Sequence, residues 1–252
     1  MGIAKIAPFI SFILGTIIGS FLNVCIYRLP RKESVVSPPS HCRSCDSRIA
    51  WYDNVPIVSW LVLRGKCRGC GSPISIEYPI VEFVTGLIYL FTYLRYGQSP
   101  YLVIYLLLFS AFLVIAIIDF KHQIIPDMIT LPGTAIGIAA PFFLNYMTPK
   151  ASIIGLLVGG GLFFLIALLS RGGMGGGDIK LMAMIGTFVG WPGVLVTTMI
   201  GSLLGAIVGI ALMIMGKKGR KSQIPFGPFL IIGATVYILW GGYIIRWYLY
   251  SI

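Results

Sequence analysis

The sequence predicts an all-α polytopic membrane protein with about eight transmembrane helices and one small loop domain between the first two. Three observations lead to this fold class. The 252 residues are 57% hydrophobic and 11% charged, and the mean hydropathy is +0.92, far above what a soluble globular domain requires. Long apolar runs recur along most of the chain. The one sizeable polar segment, at 29–79, contains four of the five cysteines.

Apolar runs of membrane-spanning length predict the helices. They lie at about 6–27, 80–96, 101–119, 128–146, 151–170, 179–191, 193–215 and 226–246. We interpret the first run as an uncleaved helix, because no small-x-small cleavage site with a polar mature chain follows it. The sixth run is short, and the turn Trp191-Pro192-Gly193 separates it from the seventh.

The basic residues predict the orientation of these helices. Fifteen of the 19 Lys and Arg fall in one alternating set of loops, and the other four are Lys5, Arg95, Lys150 and Arg246. The positive-inside rule therefore places both termini outside and the basic loops in the cytoplasm. The net charge of +11 is then explained by orientation and by contact with anionic lipid, without a nucleic-acid partner.

The polar segment predicts a metal site. Two CxxC pairs, with 21 residues between them, are typical of a closed, structural zinc site with four thiolate ligands. Two disulfides are the alternative, and a reducing cytoplasmic location argues against them. A loop of this size buries little core, so a metal would help it fold. The metal ligands are Cys42, Cys45, Cys67 and Cys70. The chain thus divides into a first helix at 1–28, a loop domain at 29–79 and a membrane domain at 80–252.

Two aspartates lie where predicted helices end or begin. Asp119 closes the third helix and Asp178 opens the sixth, both at the cytoplasmic side of the predicted topology. A carboxylate at a bilayer edge is costly and indicates a functional site, although Asp178 is also suited to an N-cap. The glycine-rich stretch before Asp178 is not a phosphate loop, because no Lys-Ser/Thr pair follows it. Asp127 is interpreted as an N-cap and His122 as a solvated loop residue.

Polar groups also gather at the cytoplasmic ends of the first two helices. Asn23 is explained by helix packing and Arg28 by snorkelling to the headgroups, unless they bind a ligand. Glu82 is either paired with a basic group such as Arg28 or placed for a ligand. Gly86 permits close approach of another backbone, and Cys25 is expected to be a buried thiol.

In order along the chain, the motifs GSFLNVCIYRLP, PPSHCRSC, GKCRGC, ISIEYPIVE, IDFKHQIIPD, GGGDIKL and PFGPFL cover nearly the whole length. In these motifs the sequence resembles the type IV prepilin peptidases, the bifunctional leader peptidase/N-methyltransferases of type IV pilus and type II secretion systems. The GxGD motif of Gly175, Gly177 and Asp178 is shared with other intramembrane aspartyl proteases. The four cysteines point to the bifunctional enzymes.

The resemblance implies that Asp119 and Asp178 are the catalytic pair, with Gly175, Gly176 and Gly177 as the active-site loop and 80–252 as the protease domain. It implies cleavage of a short basic leader from prepilins or pseudopilins at the inner membrane. Two nearby carboxylates would share one proton: one would activate water and the other would donate to the scissile carbonyl.

The resemblance also implies N-methylation of the new N-terminal residue with S-adenosylmethionine, a reaction associated with the zinc loop. Because the sequence has no dinucleotide-fold glycine pattern, the donor site must be built differently. Our candidates for binding the methyl donor are Asn23, Arg28, Glu82 and Gly86.

Three other functions are weighed against this one. A protease without methyl transfer would lack the four cysteines. A proton-coupled transporter would use the two aspartates as a relay, but it would usually show internal repeats and polar groups at mid-membrane, and the sequence has neither. A purely structural assembly protein would tolerate alanine at both aspartates.

Overall fold

A computed structural model describes residues 2–170, 174–216 and 224–250 of the chain, leaving aside the side chains of 2–5, 245 and 247–250. These residues form helices and contain no strand, which confirms the predicted all-α class. Arg171 and the basic residues of 217–221, on which the predicted orientation partly depends, lie outside the described residues.

The described helices are α1 (Gly2–Arg28), α2 (Val58–Val62), α3 (Glu77–Tyr96), α4 (Tyr101–His122), α5 (Asp127–Leu144), α6 (Pro149–Leu169), α7 (Gly176–Ile214) and α8 (Gly227–Tyr250). Short 3-10 turns lie at Leu29–Arg31 and Trp51–Asn54. Every apolar run singled out in the sequence lies in a helix apart from one or two residues at some ends. The one helix that the runs did not predict is the five-residue α2.

Six of these helices, α1 and α4 to α8, are long and apolar enough to cross a membrane. The predicted second span lies in α3, which carries Glu77, Glu82 and Arg95 and is not among the six. The predicted sixth and seventh spans both lie in α7, whose 39 residues would extend about 58 Å if straight. That is roughly twice the hydrocarbon thickness. Non-helical backbone at Gly190 (φ 65°, ψ 179°) divides α7 next to the turn that the sequence predicted.

The chain forms two compact units, residues 1–114 and 115–252. In the first unit α1 packs closely along α3. A Cβ atom at Gly19 would lie 2.7 Å from Glu82 Cα, so the two backbones meet at this glycine. The Ser11 hydroxyl donates to the Tyr89 carbonyl oxygen (3.0 Å) along the same contact. The loop domain follows α1 and leads into α3.

In the second unit α7 packs between α6 and α8. A Cβ atom at Gly155 of α6 would clash with the Gly186 carbonyl oxygen of α7, so this helix crossing excludes any side chain. The stripe Gly201, Gly205 and Gly209 of α7 faces Leu230, Phe226 and Ile224 at the start of α8. These glycines, which are four residues apart, therefore form a helix-packing face of α7.

Candidate active site

Asp119 lies in the last turn of α4 and is 5% exposed. Its Oδ2 atom accepts a hydrogen bond from the Gly227 backbone N–H (3.0 Å). Gly227 is the first residue of α8, so the donor belongs to a helix N-terminus, where unpaired N–H groups favour an anionic partner. The contact joins residues 108 positions apart and fixes one oxygen of this buried carboxylate.

Asp178 is the third residue of α7 and is half-buried. Its backbone N–H donates to the Gly175 carbonyl oxygen (3.1 Å), and Gly175 is the N-cap residue with extended backbone (φ −74°, ψ 144°). Gly176 and Gly177 already belong to the first helical turn, so the described part of the glycine-rich stretch is unwound only up to Gly175. Asp178 itself is not the N-cap.

The helix ends that carry the two aspartates meet in the second unit. Ile125, from the short connection between α4 and α5, lies beside both sites. It is 3.0 Å from a Cβ placed on Gly177 and 3.4 Å from one placed on Gly227. Gly177, which precedes Asp178, and Gly227, which donates to Asp119, thus lie against one buried side chain, so three different helix ends meet here. The structure brings together the two aspartates that the sequence singled out.

Gly227 is the residue of this site that sequence reasoning missed. A Cβ atom there would lie 2.6 Å from Asp119 Oδ2, closer than real Cβ contacts come. The sequence showed an unusual helix start in IPFGPFL, with two prolines and a glycine, but nothing local connects that motif to Asp119.

Two neighbouring polar residues have ordinary explanations. Asp127 is the first helical residue of α5, and Pro126 occupies the N-cap position, so the predicted capping role of Asp127 is wrong. The Asp127 carboxylate instead accepts from Lys180 Nζ (2.7 Å), and both side chains are about half exposed. His122 ends α4 and is exposed, in agreement with the interpretation that it is solvated.

The four loop cysteines form a compact cluster in the first unit. Their Sγ atoms all lie within 4.8 Å of one another, and the Cys42 and Cys70 sulfurs are 3.8 Å apart. A tetrahedral zinc ion with Zn–S bonds of about 2.3 Å places its sulfurs about 3.8 Å apart. All four are free thiols, so the disulfide alternative is not observed. The donor set and its spacing fit a structural zinc ion.

The two halves of the cluster have the same local construction. In each, the N–H of the first cysteine donates to a serine carbonyl oxygen five residues later: Cys42 to Ser47 (2.9 Å) and Cys67 to Ser72 (2.8 Å). The Ser44 amide and the Ser72 hydroxyl lower the pKa of the Cys42 thiol to about 6. Thiolate is the form that binds a metal, so the knuckle geometry prepares this ligand at neutral pH.

The residues proposed to bind the methyl donor lie in the first unit, but they do not all line one cavity. Asn23 Nδ2 donates to the Tyr78 carbonyl oxygen (3.1 Å), and Gly86 is in close contact with Phe12. Glu82 Oε2 accepts from the Ile57 backbone N–H (2.7 Å). It is therefore not paired with Arg28, which donates to the Ser34 and Pro38 carbonyl oxygens instead.

A cavity of about 770 Å³ lies beside these residues, between α1 and the loop domain. Arg28, which is 7% exposed, lines it directly. Glu82 does not line the cavity, but its carboxylate accepts a hydrogen bond from the backbone N–H of Ile57, which does. Asn23 and Gly86 do not line it and instead join α1 to α3. The wall also includes Ser20, Ser40, Trp51 and Asn54, among mostly apolar side chains.

Known proteins match the chain over most of its length. Residues 13–96 match the Bacterial Peptidase A24 N-terminal domain, and residues 106–210 match the Type IV leader peptidase family. No solved structure matches significantly.

Among curated proteins, a prepilin leader peptidase/N-methyltransferase of Myxococcus xanthus is 40% identical over 84% of this chain and 65% of its own length. Proteins of the same name from Pseudomonas putida and Aeromonas hydrophila are 33% and 34% identical. In these two pairs the matched region covers 91% and 94% of this chain and 89% and 92% of the relatives. From these matches and the site described above, we conclude that the chain belongs to the type IV leader peptidase family.

Proposed function

We propose that this protein removes the basic leader peptide from prepilins or pseudopilins and then methylates the new N-terminal residue. The observation that carries the protease half is the meeting of Asp119 and Asp178 at the ends of α4 and α7. The names of the relatives support both activities. A transporter or a structural role is not supported by the family.

The chemistry follows from two carboxylates at helix ends that meet. Such a pair holds one proton between its members, so that one is ionised and the other protonated. The ionised carboxylate takes a proton from a water molecule as its oxygen attacks the scissile carbonyl carbon. The protonated carboxylate donates to the carbonyl oxygen, and the tetrahedral intermediate collapses as the leaving amine is protonated. Gly227 serves this reaction by fixing one oxygen of Asp119.

The active-site loop provides room for the substrate. Among the described residues, no atom lies within 4 Å of a Cβ added to Gly176, and the atom nearest to one added to Gly175 is Asp178 Oδ2 at 3.7 Å. Gly175 and Gly176 thus leave space in which an extended peptide backbone can approach Asp178, whereas Gly177 packs against Ile125.

We assign methyl transfer to the first unit, where the zinc loop and the candidates for binding the methyl donor lie. Its cavity of about 770 Å³ is within the usual range for small-molecule sites, roughly 300–1,000 Å³. Arg28 would bind the carboxylate of S-adenosylmethionine. S-adenosylmethionine supplies an electrophilic methyl group. Glu82 would keep Ile57 and the cavity wall in place, and Asn23 and Gly86 would fix α1 against α3.

We place the protein in the bacterial inner membrane as a multi-pass protein. With α3 as the second span and α7 as two spans, eight spans leave both termini outside and the zinc loop and aspartates at the cytoplasmic face. The distribution of Lys and Arg supports this orientation. Reporter fusions at each terminus test it, because a reporter active only in the periplasm should be active at both ends.

The protease proposal is tested by mass analysis of a prepilin incubated with the purified protein and S-adenosylmethionine in lipid. The wild type should remove the leader and add one methyl group. Asp119→Asn and Asp178→Asn should each stop leader removal. Asp127→Asn is the matched control, because it removes a nearby but solvent-exposed carboxylate and should leave cleavage near wild type. Cleavage by either dyad variant would refute the assignment.

The methyl-transfer proposal is tested separately with an already cleaved substrate and with photo-crosslinking of labelled S-adenosylmethionine. Arg28→Met should reduce both crosslinking and methylation while leader cleavage continues. Glu82→Gln with unchanged methylation would remove Glu82 from this role.

A further inference from the structure

Residues 51–62 of the loop domain expose several large apolar side chains. This segment does not belong to any of the predicted membrane spans. It consists of the 3-10 turn Trp51–Asn54 and helix α2. Trp51 is 83% exposed and Val62 69%. Large apolar side chains exposed together in this way are unusual on a surface that faces water and indicate a contact with something apolar.

The exposed apolar side chains of α2 share one face of the helix. Val58, Leu61 and Val62 are spaced i, i+3, i+4, and all three are more than half exposed. The opposite face is bonded to the loop domain itself, since Ser59 Oγ donates to the Tyr52 carbonyl oxygen (2.8 Å) and Trp60 Nε1 to that of Ile74 (3.1 Å). The helix is therefore held from its inner side, and its outer side is the apolar one.

The segment lies against a part of α1 that faces lipid. Val55 and Val58 line the same cavity as Ile13, Ile17 and Phe21 of α1. These three α1 side chains are 42–52% exposed in a helix apolar enough to span the membrane. Ile17 lies 11 residues before Arg28, about 16 Å along the helix axis. The cavity wall formed by α1 and this segment therefore extends well into the hydrocarbon region of the bilayer.

A buried hydrogen bond holds the segment at this position. The Ile57 N–H donates to Oε2 of Glu82, which is 7% exposed and lies about 7.5 Å into α3. Ile57 has φ 62°, an uncommon conformation for a β-branched residue. The hydrogen bond from the Ile57 N–H to this carboxylate explains how this strained residue stays in place and directs α2 outward.

The residues around the segment match the interfacial region of a bilayer. Trp51 and Tyr52 are side chains that favour the headgroup level. Arg48, Arg64 and Lys66, on either side of the segment, are exposed and positively charged. Basic side chains next to an apolar helix face are complementary to anionic phospholipid.

We propose that residues 51–62 form a lipid-embedded segment, with Val58, Leu61 and Val62 inserted among phospholipid acyl chains and the flanking basic residues at anionic headgroups. The zinc loop is then a domain attached to the membrane surface. This proposal rests on the membrane span of α1 and does not depend on the catalytic function.

The test uses the full-length protein with an environment-sensitive fluorescent amino acid at position 62, reconstituted in vesicles of phosphatidylethanolamine and phosphatidylglycerol. A second protein carries the label at position 44, an exposed serine at the tip of a cysteine knuckle. Quenching is measured with phospholipids brominated on their acyl chains and with aqueous iodide. Bound zinc reports the fold of the loop, and position 58 replaces position 62 if the label there lowers the zinc content.

We expect brominated lipid to quench the label at 62 and iodide to have little effect on it, with the reverse pattern at 44. Equal iodide quenching at the two positions, without an effect of brominated lipid at 62, would show that the segment lies in water and would refute the proposal. Protection of position 62 from both quenchers would also refute it, because protein would then cover the apolar face.

Discussion

Replacing Gly227 with alanine should disable the protease site through the position of one carboxylate. The new Cβ atom would lie 2.6 Å from Asp119 Oδ2, where an ordinary contact begins at about 3.4 Å. The carboxylate must therefore retreat by about 0.8 Å, or α8 must move. The Asp119 side chain cannot turn freely, because it is 5% exposed and Ile125 lies 3.4 Å from the same Cβ.

Displacements of about 1 Å in a catalytic group cost on the order of 100-fold in rate. We therefore expect Gly227→Ala to lower the single-turnover rate of leader cleavage about 100-fold, or about 2.7 kcal/mol in activation free energy. The rate is measured by mass spectrometry of prepilin over time, with enzyme in excess. Gly161→Ala in α6 is the matched control, because no atom of the described part of the chain lies within 4 Å of its added Cβ. It should cleave at the wild-type rate.

Two measurements separate this effect from misfolding. Bound zinc and methylation of an already cleaved substrate report the first unit, and both should be unchanged in Gly227→Ala. The unfolding temperature reports the whole chain and should stay close to that of the wild type. A cleavage rate within a few-fold of wild type would refute the reasoning, because it would show that the Gly227 contact does not position Asp119 during catalysis.

Three further outcomes follow from the same geometry. Gly177→Ala should cleave prepilin more slowly than Gly176→Ala, because a Cβ at position 177 would lie 3.0 Å from Ile125, whereas no described atom lies within 4 Å of a Cβ at position 176. The reverse order of rates would contradict the described site. Cys67→Ser should lose zinc, measured by elemental analysis, and methylation, while leader cleavage continues; retention of a full zinc equivalent would argue against the four-thiolate site. Lys180→Met removes the half-exposed ion pair with Asp127, which is worth about 1 kcal/mol or less, so the cleavage rate should change less than about five-fold. A complete loss of activity would show that Lys180 has a further role.

The sequence by itself determined the elements of the fold, because each is encoded by a local pattern. Apolar runs of spanning length predicted the long helices, and the turn at Trp191-Pro192-Gly193 lies next to the break observed at Gly190. The spacing of the cysteines predicted the cluster, since CxxC places two sulfurs on one tight turn and two such turns complete four ligands. The two aspartates were marked by their positions at helix ends, where a charge is costly in a membrane.

Only the tertiary structure decided which of these local features meet. The N–H of Gly227 reaches Asp119 across 108 residues, and Ile125 lies beside both Gly177 and Gly227, contacts that depend on how α4, α7 and α8 pack. Glu82 is committed to a backbone N–H of the loop and not to Arg28, although charge alone favoured that ion pair.

The short helix α2 also depended on tertiary contacts. Five residues are too few to show a helical period or to be stable alone, and hydrogen bonds from Ser59, Trp60 and Ile57 hold the helix in place. Residue patterns carry information over a few turns of a helix, whereas the partner of a buried polar group is fixed by backbone packing between distant parts of the chain. That difference is why the sequence identified the aspartates and the cysteines, and why their surroundings had to come from the folded structure.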